Sequence, residues 1–200
     1  MSTKNVNRIK AVYDLATPHE ITVGRAWYPQ AYETARIMAS DYHLCVQTVV
    51  GVIAALSPRN KWERNLLDAE NLIEAYCVDR DAAAAVKVCT FGKNKAKAIK
   101  ILDLDQDPFT DAIMGVLSGP KLREFASCIL KLDDVCIDGH AFCIWNGART
   151  GLKDVPAISR QLRAEIKADY RKAAAKLGLS PSECQAVTWC AWRRIHGVTA

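Results

Sequence analysis

Long apolar runs are missing from this 200-residue sequence. No stretch approaches the roughly 20 consecutive apolar residues that a membrane-spanning helix needs. The segment Met1 to Lys10 is polar and basic, and it lacks the apolar core of a secretory signal. These absences predict a protein of the cytoplasm that makes no contact with a membrane.

Paired metal-ligand spacing is also absent. None of the eight cysteines forms a C-x-x-C pair, and most lie beside Leu, Val, Ile or Trp in apolar helical patterns. In a reducing compartment such cysteines behave as small buried hydrophobic residues. A zinc site would need tighter ligand pairs, so we expect no metal, no cofactor and no disulfide.

Strict alternation of apolar and polar residues, the pattern of a half-buried strand, is almost absent, whereas helical spacing recurs throughout the chain. The spacing predicts helices such as Arg25–Asp41 and Phe109–Leu117. Pro181 follows Ser180 and precedes Glu183, an arrangement typical of a helix start. We therefore predict an all-α protein of roughly ten helices.

The domain organisation permits two readings. No composition shift, repeat or low-complexity segment divides the chain, and its length suits one domain over residues 1–200. The alternative is two lobes, in which residues 30–140 form a core that carries the motifs and residues 1–29 and 141–200 pack around it.

The net charge of +5 permits binding to a polyanion without requiring it. Its distribution is more informative, because basic residues crowd the segments 93–100 and 160–176. Either segment can be a solvated helix face, which is the commoner case. Two basic surfaces on a chain of this size also suit a phosphate backbone.

Two segments in the first half of the chain suggest binding. Val49–Asn60 is an apolar helix that ends in a small polar turn and presents Arg59 and Asn60. Thr90–Ile99 is a glycine turn that leads into a helix with Lys93 and Lys95 in its first turns. Exposed amides at such a helix start, together with Lys side chains, can hold a phosphate.

Two further segments follow. Leu117–Ala126 predicts two helices joined by a tight turn, whose amides can point at an anion. In Val135–Phe142, an apolar, strand-like run stops at Asp138, and His140 follows two residues later. Taken alone, Asp138 is best interpreted as the N-cap of the next helix.

In this order, the four segments resemble the endonuclease III branch of the helix-hairpin-helix (HhH-GPD) DNA glycosylases. That family has an "L-S-A-Q" corner, a Lys-containing helix start, an "L-P-G-V-G-R-K-T-A" hairpin and a "V-D-T-H" segment. The resemblance covers about Val46 to His140 and continues more weakly into the terminal helix. It implies an HhH-GPD-like helical fold with a helix-hairpin-helix motif, acting on DNA as a monomer.

The resemblance also implies roles for individual residues. Asp138, with His140 beside it, is expected to face a base that has been flipped out of the duplex and to act in catalysis. A fixed carboxylate there would stabilise the positive charge that develops on the sugar, or orient the attacking water. The expected DNA-binding residues are Arg59, Asn60, Lys93, Lys95, Ser118, Gly119, Lys121 and Arg123. The expected base pocket is lined by Gln185, Trp189 and Trp192, although paired Trp residues on a terminal helix are more often core.

The sequence departs from the family pattern in ways that limit the chemistry. The hairpin keeps only Gly119, followed by Pro120, and the lysine of the strand-cleaving members aligns ambiguously with Lys121 or Arg123. Arginine forms no Schiff base, so lyase activity is not expected. The cysteine quartet of an iron–sulfur cluster is missing, because the C-terminal region holds only Cys184 and Cys190.

Three functions therefore remain open. The first is a monofunctional DNA glycosylase that hydrolyses the N-glycosidic bond of a flipped-out base. The second is a transferase that modifies a pyrimidine substituent in DNA, as in the α-glutamyl/putrescinyl thymine pyrophosphorylase group of bacteriophages; such a protein would act in the host cytoplasm. The third is a non-catalytic DNA-binding protein.

Overall fold

The computed structural model describes residues 3–105, 110–151 and 154–198. These residues form eleven α-helices and no β-strand, which confirms the predicted all-α class. Phe109, the first residue of one predicted helix, lies outside the described residues. The helices are α1 Thr3–Asp14, α2 Pro18–Asp41, α3 Val46–Leu56, α4 Trp62–Val78, α5 Arg80–Ala85, α6 Gly92–Leu102, α7 Thr110–Val116, α8 Pro120–Ile129, α9 Gly139–Asn146, α10 Arg160–Leu177 and α11 Pro181–Ile195.

Helix α2 begins earlier than the predicted Arg25. Its first residue is Pro18. Thr17, directly before the helix, and Glu20, in its first turn, exchange two hydrogen bonds. The Thr17 amide donates to Glu20 Oε2 at 2.8 Å, and the Glu20 amide donates to Thr17 Oγ1 at 3.2 Å. This capping box satisfies two amides that the helix itself cannot pair, so the helix starts seven residues before the periodic apolar pattern does.

The chain divides into two compact units, of which unit 2 comprises residues 31–130. Helix α3 is its central element and packs against α4, α6, α7 and α8. Every residue from Thr48 to Leu56 is buried, as expected for a helix that is apolar on all sides. Gly51 permits close contact, because a Cβ atom there would lie 2.7 Å from Ile113 Cγ2.

Unit 1 comprises residues 1–30 and 131–200. Its helices α1, α9, α10 and α11 enclose one apolar core that includes Ile9, Ile137 and Tyr170. The start of α2 also belongs to this unit, where Gly24 contacts α11. A Cβ atom at Gly24 would lie 2.6 Å from the Val187 Cα atom, closer than real Cβ atoms approach.

Four of the eight cysteines are buried as expected, namely Cys128, Cys136, Cys143 and Cys184, whereas Cys77 and Cys89 are exposed. Burial raises the pKa of Cys184 to about 12, so this thiol is neutral near pH 7. Among the described helices, no single one is long and apolar enough to cross a bilayer. The consecutive pair α2 and α3, bent by 118°, meets that test of length and composition only when the two are taken together.

Candidate nucleic-acid interface and carboxylate site

The turn after α3 presents Arg59 at the surface of unit 2. The Arg59 backbone has φ 59°, in the left-handed region that residues other than glycine rarely adopt. The hydroxyl of Ser57 donates to the Ala54 carbonyl at 2.9 Å, which closes the last turn of α3. Because the turn is fixed in this way, the exposed Arg59 side chain starts from a defined backbone position.

A buried carboxylate joins this turn to the loop before α6. Asp68 is 0% exposed and accepts hydrogen bonds from Asn60 Nδ2 at 2.9 Å, Arg64 Nε at 2.8 Å and the Cys89 amide at 2.7 Å. A buried charge is tolerated only when it is paired in this manner. The side-chain amide of Asn60, an expected DNA contact, therefore donates to Asp68 within the protein.

A second link lies beside the first. Thr90 Oγ1 donates to the Pro58 carbonyl at 3.0 Å, and Asn94 Nδ2 donates to Thr90 Oγ1 at 2.9 Å. Asn94 is itself buried in the first turn of α6. The structure thus brings together two of the sequence motifs, the polar turn after α3 and the glycine–lysine start of α6.

Phe91 lies where these two motifs meet, and sequence reasoning did not select it. The residue is 47% exposed, with Arg59 Cζ 5.2 Å and Lys93 Nζ 5.8 Å from the ring centroid. Both cations lie within the range of a cation–π interaction. An exposed aromatic ring between two cations can contact a nucleobase while the cations contact phosphate. The only signal in the sequence was an aromatic residue directly before Gly92.

The lysines of α6 have different roles. Lys95 Nζ donates to the carbonyl oxygens of Ala84 at 2.5 Å and Val86 at 3.0 Å, at the end of α5. Lys97 Nζ donates to Ser118 Oγ at 2.5 Å. Lys93 is exposed beside Phe91. Of the two lysines expected to bind DNA, only Lys93 presents its ammonium group at this surface.

The segment predicted to form a hairpin is the turn between α7 and α8. Gly119 has φ 99°, and Pro120 opens α8, whose N-terminus has no side-chain cap. Since proline has no N–H, the amides available to an anion belong to Lys121 and the residue after it. Arg123 is exposed, and its Nε atom donates to the Leu117 carbonyl at 2.7 Å, which links α8 to the residue after α7. Lys121 is exposed.

Asp138 lies in unit 1, at the start of α9. Its Oδ1 atom accepts a hydrogen bond of 2.8 Å from the Ala141 amide, which makes Asp138 the N-cap of that helix. Among the described residues, no donor contacts Oδ2. Asp138 is half-buried, as is His140 in the first turn. One carboxylate oxygen is therefore held by the first turn of the helix that Asp138 caps.

The residues expected to line a base pocket differ in exposure. Gln185 is buried, and its Oε1 atom accepts from the Tyr28 hydroxyl at 2.9 Å. Trp192 belongs to the apolar core of unit 1. Trp189 is half-buried, and Arg193 Cζ lies 4.3 Å from its ring centroid. Only Trp189 keeps an accessible ring, and the interpretation of Trp192 as core applies.

Metal binding has no support in the described residues, where no group of three or more His, Cys, Asp or Glu side chains is placed to hold an ion.

The model of one protein family matches residues 1–196. The chain belongs to the family of unknown function DUF7178. No curated protein and no solved structure matches the chain significantly. Membership of this family therefore assigns no activity to the chain.

Proposed function

We propose that this DUF7178 member is a DNA base-processing enzyme, a monofunctional glycosylase that hydrolyses the N-glycosidic bond of a base extruded from the helix. The observation that carries the proposal is the convergence of three sequence motifs in unit 2. Thr90 Oγ1 joins the α6 start to the turn at Pro58, and Lys97 Nζ joins α6 to the hairpin at Ser118. These motifs are separate in sequence, and together they carry the exposed groups that suit DNA.

DNA binding is supported by the groups that point outward from this surface. Arg59, Lys93 and Lys121 are exposed cations, and the start of α8 has amides without a side-chain cap. Cations and uncapped helix N-termini are the groups that bind phosphate oxygens. Phe91 adds an aromatic face for a base. This combination favours a nucleic acid over a small anion as the partner.

Asp138 supplies the carboxylate that base release needs. In the proposed reaction, water attacks C1′ of the sugar while the bond from C1′ to the base nitrogen breaks. The electron pair of that bond leaves with the base, which takes up a proton, and the attacking water loses one. A carboxylate with one oxygen held by the Ala141 amide is fixed in position to stabilise the developing cation or to accept the water's proton. Lyase chemistry is not part of the proposal.

The test is mass spectrometry of bases and nucleosides after incubation of the protein with natural and modified DNA. A freed base, with abasic DNA that breaks only in alkali, is the expected result. The Asp138→Asn variant must abolish it while binding DNA normally. A heavier nucleoside without base release would contradict hydrolysis and indicate modification of the base substituent.

A second candidate is supported by a specific observation, the capping bond from the Ala141 amide to Asp138 Oδ1. That bond alone explains an aspartate at this position. A non-catalytic DNA-binding protein would use the same surface of unit 2 and would tolerate Asp138→Asn. Salt-sensitive binding with unchanged bases and nucleosides would establish it.

A further inference from the structure

The segment that leads to Asp138 belongs to neither a helix nor a strand. Residues 133–138 belong to no helix, and Val135 and Ile137 are buried. An extended segment in a sheet is fixed by its neighbouring strand. The described residues contain no strand, so the conformation here depends on other contacts.

One face of α10 supplies those contacts. Three cations four residues apart each reach the segment: Arg163, Lys167 and Arg171. Arg163 Nη1 donates to the Ile137 carbonyl at 2.9 Å, Lys167 Nζ contacts Asp134 Oδ1 at 2.6 Å, and Arg171 Nη2 donates to the Asp133 carbonyl at 2.9 Å. Residues at this spacing lie in one row along a helix, so the row runs alongside the segment in the opposite chain direction.

The contact of Arg163 is the one nearest to Asp138. The Ile137 carbonyl belongs to the peptide group that joins Ile137 to Asp138, and that group is planar. A donor that fixes the carbonyl therefore fixes the peptide plane from which the Asp138 backbone continues, at φ −97°. A hydrogen bond from a charged donor is stronger than one from a neutral donor.

The same helix also contacts Ala141, the residue whose amide binds the Asp138 carboxylate. Tyr170 is fully buried on α10, beside the row of cations and not within it. Its hydroxyl donates to the Ala141 carbonyl at 3.3 Å. Ala141 is the residue whose amide caps onto Asp138 Oδ1. Helix α10 thus contacts the peptide group before Asp138 and the residue that binds its carboxylate.

We infer that Arg163 is the positioning residue for Asp138, and that the basic face of α10 orients this carboxylate instead of binding DNA. The catalytic consequence rests on the proposed function, whereas the positioning itself does not. Arg163 acts through the Ile137 peptide group and touches no substrate.

The first experiment measures amide hydrogen exchange at Ala141 by NMR, since this amide reports directly on the position of Asp138 Oδ1. In Arg163→Met we expect Ala141 to exchange about fivefold faster, the loss typical of a weakened N-cap. The amide of Glu183, capped by Ser180 in the same unit, should be unchanged. Lys176→Met removes a charge from the exposed last turn of α10 and serves as the matched control.

Rescue separates positioning from general loss of structure. Arg163→Lys keeps a donor for the Ile137 carbonyl and should recover part of the Ala141 protection. Millimolar guanidinium should do the same for Arg163→Met. If Arg163→Met fails to fold, Tyr170→Phe removes only the hydroxyl that binds the Ala141 carbonyl, and Ala141 should again exchange faster. Unchanged exchange in the folded variants would overturn the inference.

Activity provides the second readout. Arg163→Met should lower kcat for base release by up to about a hundredfold with little change in KM, since misplacing a catalytic group affects the chemical step. Lys176→Met should keep kcat. An equal rise in KM in both variants, with kcat intact, would show that α10 binds DNA and would contradict the inference. If the wild type releases no base, the proposed function fails, and the Ala141 exchange still decides the role of Arg163.

Discussion

Lys95 Nζ donates to the Val86 carbonyl at 3.0 Å and so closes the end of α5. Two residues earlier, Lys93 is exposed beside Phe91. The two lysines carry the same charge on the same helix, which makes them a matched pair for separating structural from DNA-binding roles.

We predict that Lys93→Met weakens DNA binding and lowers the slope of log affinity against log salt by about one, because one phosphate contact is lost. Lys95→Met should leave that slope unchanged and lower the free energy of unfolding by about 1 kcal/mol through its lost hydrogen bonds. Fluorescence anisotropy at several salt concentrations and urea denaturation measure the two effects. An equal loss of slope in both variants would contradict the assignment.

A second pair of variants separates charge from capping at Asp138. Asparagine is as good an N-cap as aspartate, whereas alanine cannot cap. Asp138→Asn should therefore abolish base release at unchanged stability. Asp138→Ala should abolish it and also lower the free energy of unfolding by about 1 kcal/mol. Product mass spectrometry and thermal denaturation are the measurements, and an active Asp138→Asn would leave the residue as a helix cap only.

Two similar helix starts show why part of the fold was predictable. The start of α11 was recognised from Ser180, Pro181 and Glu183, and its capping box is present. The start of α2 has the same arrangement at residues 17–20 but was missed. Gly24 lies inside α2, directly before the predicted start at Arg25, and glycine weakens helical propensity. The periodic pattern was therefore convincing only further along, although the cap chemistry had already fixed the start.

The candidate site was less predictable than the helices, because the spacing of residues in the sequence does not show which partner a charged group contacts in the fold. Lys95 and Arg123 were predicted to bind DNA, and spacing did not reveal that Lys95 Nζ donates to the Val86 carbonyl and Arg123 Nε to the Leu117 carbonyl. Phe91 was overlooked, since a single Phe usually predicts core. It lies beside a contact between loops that are distant in sequence, the hydrogen bond from Thr90 to Pro58 32 residues earlier.

Stability in acid should depend on an ion pair at the end of α6. Arg80 donates two hydrogen bonds of 2.7 Å to Asp103. These bonds lower the pKa of the Asp103 carboxyl, and a hydrogen bond from Tyr76 adds to them against the opposing effect of burial. A carboxyl whose folded pKa is depressed contributes stability above its unfolded pKa of 3.8 and loses it as the pH falls through the folded value.

We therefore predict that Arg80→Met reduces stability at pH 7 and has little effect at a pH low enough to protonate Asp103 in both the folded and the unfolded state. Urea denaturation across this pH range measures the difference. Arg36→Met is the control, because Arg36 pairs with Glu33 on a single helix and such exposed pairs contribute little. A destabilisation by Arg80→Met that does not vary with pH would contradict the role of Asp103.

Two helical glycines should respond oppositely to alanine. A Cβ at Gly24 would lie 2.6 Å from Val187 Cα and 2.7 Å from its amide nitrogen, whereas a Cβ at Gly115 would meet nothing within 4 Å. Gly24→Ala must push α2 away from α11 in unit 1 and should cost about 1–3 kcal/mol. Gly115→Ala should be neutral or stabilise by up to about 1 kcal/mol, through the higher helix propensity of alanine. Thermal denaturation distinguishes them.

The role of Phe91 can be tested against a residue of equal exposure. Phe91 and Leu67 are both 47% exposed in unit 2, but Phe91 presents an aromatic ring with two cations beside it. Stacking of a base on an aromatic ring contributes about 1–3 kcal/mol and varies little with salt, because no counterion is released. Phe91→Ala should therefore weaken binding to single-stranded DNA at least about fivefold and leave the salt slope unchanged. Phe91→Trp should keep the affinity and quench its fluorescence on binding, whereas Leu67→Ala should bind as the wild type does. If Phe91→Ala and Leu67→Ala bind equally well, the exposed ring is ordinary surface and the interface rests on its cations alone.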